Sequence, residues 1–155
     1  MSRFTAAYAD AQHEHRVLTE DVKFLHDTER AQVEGGQRVS GLQQWFMDRM
    51  AFSPRPLEEK LTYFWNLHWT SGIAKVRGVT LLLNQNQTER RLASARFDDL
   101  VVAISQDPAM LVWLDGVLNT KNAPNENFAR EWFELFSLGI DHGYTQADIV
   151  QAAKA

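Results

Sequence analysis

Apolar residues recur with helical spacing along nearly the whole chain. They stand three and four positions apart, and no stretch shows the strict alternation that is typical of a half-buried strand. Glycine, proline and short polar stretches fall between these periodic segments, where turns are expected. The pattern therefore predicts an all-α fold, an irregular bundle of seven or eight helices.

Capping residues mark where several of these helices begin. The apolar spacing predicts a polar first helix over residues 6–34 and a second helix over residues 39–52. Pro56 suits the first position of a third helix, because that position does not need a backbone N–H. Further helices are expected over residues 78–92, 97–105 and 125–138. Another is expected after the cap formed by Asp107 and Pro108. The last begins at Thr145, where Asp148 completes a capping box.

The last predicted helix contains no glycine, proline or other residue that would end it. We therefore expect the chain to be cut short at its C-terminus, with further sequence on one or both flanks. Residues 1–155 form either a single helical domain or the interior part of a larger one. In both cases residues 1–38 are a polar N-terminal segment and residues 39–155 form the core.

The predicted helix over residues 125–138 carries an unusual number of charged residues. Glu126, Arg130 and Glu134 are four positions apart, so Arg130 can pair in both directions. Phe133 falls on the same side, which indicates apolar neighbours there and partial cover for the charges. We interpret this ladder as a buried structural clamp. The alternative, an acid and base pair, requires one glutamate to be unpaired and desolvated.

His68 falls on the apolar stripe of the third predicted helix, together with Leu61 and Phe64. A buried imidazole needs a polar partner, so His68 is either a core histidine bonded to a carbonyl or carboxylate, or a metal or haem ligand. Asn66 projects from the other side of the helix, and we expect it to make a separate contact. The predicted buried polar cluster comprises Glu126, Asn127, Arg130, Glu131, Glu134 and His68.

Composition narrows the class of protein further. With 45% hydrophobic residues, five Trp and nine Phe in 155 residues, the chain can bury a sizeable core. Its net charge of −4 makes nucleic acid an unlikely partner. The absence of cysteine excludes disulfides and Cys-type zinc sites. No signal peptide and no membrane span is present in this stretch, and no standard enzyme motif occurs.

Histidines elsewhere in the chain do not predict a metal site. His13 and His15 are two positions apart and so point to opposite sides of a helix, which prevents them from chelating one ion. His142 lies in a predicted turn. We therefore predict no metal and no cofactor, with haem at His68 as the one alternative.

Four segments, taken in order, resemble the bacterial family called domain of unknown function 1800 (DUF1800). They are "SPRPLEEKLTYFWNLHWTSG", "LLLNQNQTERR", "ISQDPAMLVWLDG" and "NENFAREWFELFSLGIDHGYTQADIVQAAKA". The resemblance extends from about Gly41 to the C-terminus. Family members usually have histidine at two positions of the segment matched by "FWNLHW". This chain keeps His68 but has Asn66 at the first position, so it lacks one of the two imidazoles of the family pattern.

The resemblance implies no settled activity. It does imply an exported or periplasmic location, longer family members, and a protein partner of the sulfatase-like kind. Two hypotheses follow. The first is a structural or interaction module of an exported or envelope-associated protein. The second is an oxidoreductase that resembles haem peroxidases, with His68 as the axial iron ligand.

Overall fold

Helices make up most of the described chain. The structure is a computed structural model that describes residues 35–154, and these residues contain eight α-helices, one short 3-10 helix and no strand. The prediction of an all-α fold with seven or eight helices is therefore confirmed. In chain order the elements are α1 (Gly35–Phe52), α2 (Pro56–His68), α3 (Ile73–Val76), α4 (Val79–Arg91), α5 (Phe97–Ser105), α6 (Pro108–Trp113), the 3-10 helix (Gly116–Leu118), α7 (Glu126–Glu134) and α8 (Gln146–Ala152).

The chain divides into two compact units, residues 1–55 and residues 56–155. In the first unit the structure describes α1, which begins at Gly35, earlier than predicted. The predicted helix over residues 6–34 lies outside the described residues, as do His13 and His15. The second unit contains all other helices and every site considered below.

Several helix starts in the second unit agree with the caps in the sequence. Pro56 opens α2, and the Asp107 side chain accepts hydrogen bonds from the backbone N–H groups of Ala109 and Met110 at the start of α6. Thr145 and Asp148 form the complete capping box of α8. These predictions are confirmed. The sequence could show these starts because each depends only on interactions within one turn of the chain.

The helix predicted over residues 125–138 ends earlier than expected. Asn125 caps α7, but the helix stops at Glu134. The backbone N–H groups of Leu138 and Gly139 both donate to the Phe133 carbonyl at 2.9 Å. Gly139 has a φ of 91°, a conformation that glycine adopts at little cost and that commonly closes a helix. Leu135, the C-cap residue of α7, is exposed.

The main core of the second unit joins α5 and α6 to the end of α2 and to α7. Its buried members are Trp69, Leu100, Ile104, Met110, Leu114, Trp132 and Phe136. A smaller cluster of Ala129, Ile149 and Ala153 packs α7 against α8, with Phe133 and Tyr144 at its edge. No helix within residues 35–154 has both the length and the hydropathy needed to cross a bilayer.

The capping box of α8 provides a test of local folding. Thr145→Ala removes the hydroxyl that accepts from the Asp148 N–H, so we expect the free energy of unfolding to fall by about 1 kcal/mol. Thr145→Ser keeps the hydroxyl and should retain most of the stability. Urea unfolding of the three proteins measures both values. Equal losses for the two variants would contradict a role of the hydroxyl.

Candidate functional site

The predicted ladder on α7 lies at the surface, which corrects the interpretation as a buried clamp. Glu126 and Asn127 are exposed, and Glu131 is half-buried. The Arg130 Nη1 atom is 3.6 Å from the Glu134 Oε1 atom, and their side chains are 39% and 25% exposed. A pair of this kind contributes little to stability, because water competes for both groups.

A residue of the next helix explains why Arg130 does not pair with both glutamates. The Arg130 Nη2 atom donates to the Gln146 Oε1 atom at 2.7 Å, and the Gln146 Nε2 atom donates to the Glu126 Oε2 atom at 2.9 Å. Gln146 therefore stands between Arg130 and Glu126. This link between α7 and α8 joins residues 20 positions apart, so helical spacing alone did not predict it.

His68 ends α2 and makes the kind of contact that was expected of a core histidine. Its Nε2 atom is 3.1 Å from the Phe136 carbonyl oxygen, so this nitrogen carries the hydrogen and donates it. The imidazole is half-buried among five aromatic rings, with centroid distances between 4.9 Å and 6.4 Å. These rings belong to Phe64, Trp65, Trp69, Phe97 and Phe136.

The buried face of α2 is not the apolar stripe that the sequence suggested. Phe64 from that stripe is 55% exposed, and Leu57, one turn before Leu61, is 69% exposed. Glu59 and Thr62, together with Trp69 directly after the helix, lie on the other side of α2 and are at most 1% exposed. Asn66 lies on the same side. This side packs against α4, so the contact between the two helices is largely polar. Asn66 and His68 make separate contacts, as predicted.

The clamp that the sequence placed on α7 exists instead between α2 and α4. The Arg90 Nε and Nη2 atoms both lie 3.0 Å from carboxylate oxygens of Glu59. The two side chains are only 6% and 1% exposed. The Arg90 Nη1 atom also donates to Gln87. This bidentate contact, the Arg90–Glu59 pair, satisfies the carboxylate with the planar donors of the guanidinium.

A second buried carboxyl group lies one residue before Arg90. The Asn66 Nδ2 atom donates to the Glu89 Oε2 atom at 3.1 Å, and Glu89 is fully buried. Burial raises the pKa of Glu89 to about 8, and the negative charge of Asp107 adds to this shift. The Asn66 hydrogen bond and the charge of Arg90 oppose it without cancelling it.

Two neighbouring amides complete this polar region. The Ser71 hydroxyl donates to the Gln85 Oε1 atom. The Gln85 Nε2, Asn86 Oδ1 and Glu89 Oε1 atoms are buried and have no hydrogen-bond partner among the described residues. Gln85 and Asn86 stand four and three positions before Glu89 on α4, so each of them neighbours Glu89 on the helix surface. We call Asn66, Asn86 and Glu89 the Glu89 site.

The sequence contained one signal for these buried polar residues. The apolar positions Val79 and Leu83 of α4 continue at helical spacing into Asn86 and Arg90, so the same face that begins apolar becomes polar. A stripe that changes character in this way indicates buried polar groups. The partner across the contact, Glu59, lies 31 residues away, and no spacing rule connects the two.

Most contacts of these polar side chains join helices of the second unit. Arg90 is held by Glu59, and His68 is held by a backbone carbonyl. The described residues contain no group of three or more His, Cys, Asp or Glu that could hold a metal ion. Burial raises the pKa of both Glu89 and Asp107, and the Glu89 side chain is fully buried.

Comparison with known families places the chain in one of them. The profile described as "Protein of unknown function (DUF1800)" matches residues 2–155. The chain therefore belongs to the DUF1800 family, and the match includes the N-terminal residues in which the recognisable motifs were weakest. The comparisons with curated proteins and with solved structures found no match.

Removing Arg90 tests the importance of the Arg90–Glu59 pair. Arg90→Met removes the bidentate partner of the buried Glu59 carboxylate, so we expect the free energy of unfolding to fall by roughly 3–5 kcal/mol. Replacing both residues, as in Glu59→Leu with Arg90→Met, removes both charges and should recover much of the loss. Denaturant unfolding of the purified variants measures both effects.

Arg130→Leu is the matched control, because it removes an arginine from a partly exposed ion pair. The loss should stay under about 1 kcal/mol. A loss for Arg90→Met as small as that for Arg130→Leu would show that the buried pair does not hold the two helices together.

Proposed function

We propose that the chain is a structural helical module of an exported or envelope-associated bacterial protein, and that it works without a bound cofactor. One observation carries this proposal: the buried polar groups serve to join helices. The Arg90–Glu59 pair and the Asn66 contact with Glu89 both join α2 to α4. The His68 contact with the Phe136 carbonyl joins α2 to the segment after α7.

The surroundings of His68 favour this proposal over a haem site. An axial histidine needs one ring nitrogen free and an open face for the porphyrin. Here the Nε2 atom donates to a carbonyl, which leaves Nδ1 free within residues 35–154, but five aromatic rings surround the imidazole and leave no open face. A porphyrin would have to displace at least one of these rings from the edge of the main core.

Location and partner belong to the same proposal and rest on membership of the family. A reporter fused to the full-length gene product would test export. The sulfatase-like partner stays a prediction, and size-exclusion chromatography of the two purified proteins, alone and mixed, would test it directly. A shared peak at equal concentrations is the expected result.

Haemin provides the sharpest test of the cofactor-free role. Wild-type protein mixed with haemin should give the spectrum of free haemin, with no shifted Soret band. His68→Ala should lose stability, on the order of 1 kcal/mol for the hydrogen bond to the carbonyl together with lost ring contacts. Phe64→Ala trims a largely exposed ring beside His68 without removing that bond, and serves as the control.

A shifted Soret band in the wild type that is absent in His68→Ala and present in Phe64→Ala would contradict the proposal and favour the oxidoreductase. Loss of stability in His68→Ala without any haem spectrum in the wild type is the result we expect.

A further inference from the structure

A single hydrogen placed between them would satisfy two buried oxygen atoms of α4. The Glu89 Oε1 and Asn86 Oδ1 atoms have no hydrogen-bond partner among the described residues. Glu89 is fully buried and Asn86 is 5% exposed, so water does not satisfy these atoms from the surface. The residues are three positions apart on one helix and lie side by side. Both atoms accept hydrogen bonds while the carboxyl group is ionised, and a proton on Oε1 would convert one of them into a donor.

Within residues 35–154, no charged group forms an ion pair with Glu89. Arg90, its neighbour on α4, directs its guanidinium to Glu59 of α2 and to Gln87. Asp107, at the start of α6, is a second buried carboxyl group whose oxygen accepts from two backbone N–H groups. The Asn66 amide of α2 donates to the other oxygen of Glu89 but carries no charge. A negative charge on Glu89 would thus be buried beside another acid.

We propose that Glu89 carries a proton in the folded chain, shared with the Asn86 carbonyl oxygen, and that losing this proton weakens the contact between α2 and α4. The protonated carboxyl group accepts from Asn66 of α2 and donates within α4, so it is satisfied inside the closed contact. The ionised group keeps the bond from Asn66 but is a charge buried near Asp107, so opening the α2–α4 contact, which lets water solvate this charge, becomes easier. The Glu89 site thus makes the contact between α2 and α4 sensitive to pH. This inference does not depend on the structural role proposed above.

The direction of the effect follows from proton binding. The pKa of Glu89 rises from 4.5 to about 8 on folding, so the folded chain binds a proton that the unfolded chain releases in this range. The stability contributed by the neutral carboxyl group is fully present below pH 4.5 and is lost as the pH rises through 8. Mildly acidic solution therefore tightens the contact, and alkaline solution weakens it.

Glu89→Gln is the first test, because glutamine keeps the shape, accepts from Asn66 and offers a permanent donor. Chemical unfolding of wild type and variant should be followed from pH 4 to pH 9. The unfolding constant of the wild type, divided by that of Glu89→Gln, should rise about tenfold per pH unit between 4.5 and 8 and be flat outside this range. Glu131→Gln, a half-buried glutamate of α7, is the matched control and should give no such slope.

Titration of the Glu89 carboxyl group in the wild type is a second test, and it does not require the variant to fold. The ¹³C carboxyl resonance assigned to Glu89 should titrate with a midpoint near 8 in the folded wild type. Asn66→Ala removes the hydrogen bond that favours the ionised form, so it should move the midpoint upward. A Glu89 midpoint near 4.5, or a constant ratio of unfolding constants, would overturn the proposal.

Hydrogen exchange tests the weakened contact itself. Protection factors of the α4 amides, corrected for the intrinsic pH dependence of exchange, should decrease between pH 7 and pH 9 in the wild type and stay constant in Glu89→Gln. The amides of α8, which pack on α7, should show no difference between the two proteins. Equal protection of α4 in both proteins at pH 9 would show that ionisation leaves the helix contact intact.

Discussion

The buried contact between Arg90 and Glu59 is the constraint on which the α2–α4 arrangement depends. A bidentate ion pair inside a protein has a narrow geometry, and breaking it by removing one partner leaves an isolated buried charge. The pair therefore fixes both the distance and the rotation of α2 against α4. This placement sets Asn66 opposite Glu89 and brings the Trp65 indole N–H to the Ala93 carbonyl at 2.9 Å.

The same contact explains the unusual state of Glu89. Arg90 is the neighbouring cation, and its guanidinium is already directed to Glu59. Burial and the nearby Asp107 then act on Glu89 without a compensating ion pair, so the pKa of its carboxyl group is raised. Glu59 and Glu89, on facing helices, thus differ because the Arg90 guanidinium is directed to Glu59 and no ion pair within the described residues includes Glu89.

Two sides of α2 have different roles. Glu59, Thr62 and Asn66 form a polar side that packs on α4, whereas Trp65 and His68 belong to the aromatic cluster around Phe97. Trp69, at the end of the helix, belongs to the main core of the second unit. A helix that carries polar contacts on one side and aromatic contacts on another leaves its most apolar stripe, with Leu57 and Phe64, at the surface.

The sequence by itself determined the all-α class, the family, and the helix starts at Pro56, Asp107 and Thr145. Each start depends on residues within one turn, and long motifs in fixed order carry the family. The sequence also indicated that His68 bonds to a carbonyl or a carboxylate, although not which group that is.

Only the tertiary structure decided which charges are buried. The spacing of Glu126, Arg130 and Glu134 describes one helix, but burial depends on the helices packed against it, and Gln146 enters from α8. Arg90 and Glu59 are 31 residues apart, and Asn66 and Glu89 are 23 apart. Helical periodicity relates residues within one turn or a few, so it contains no information about contacts over such distances.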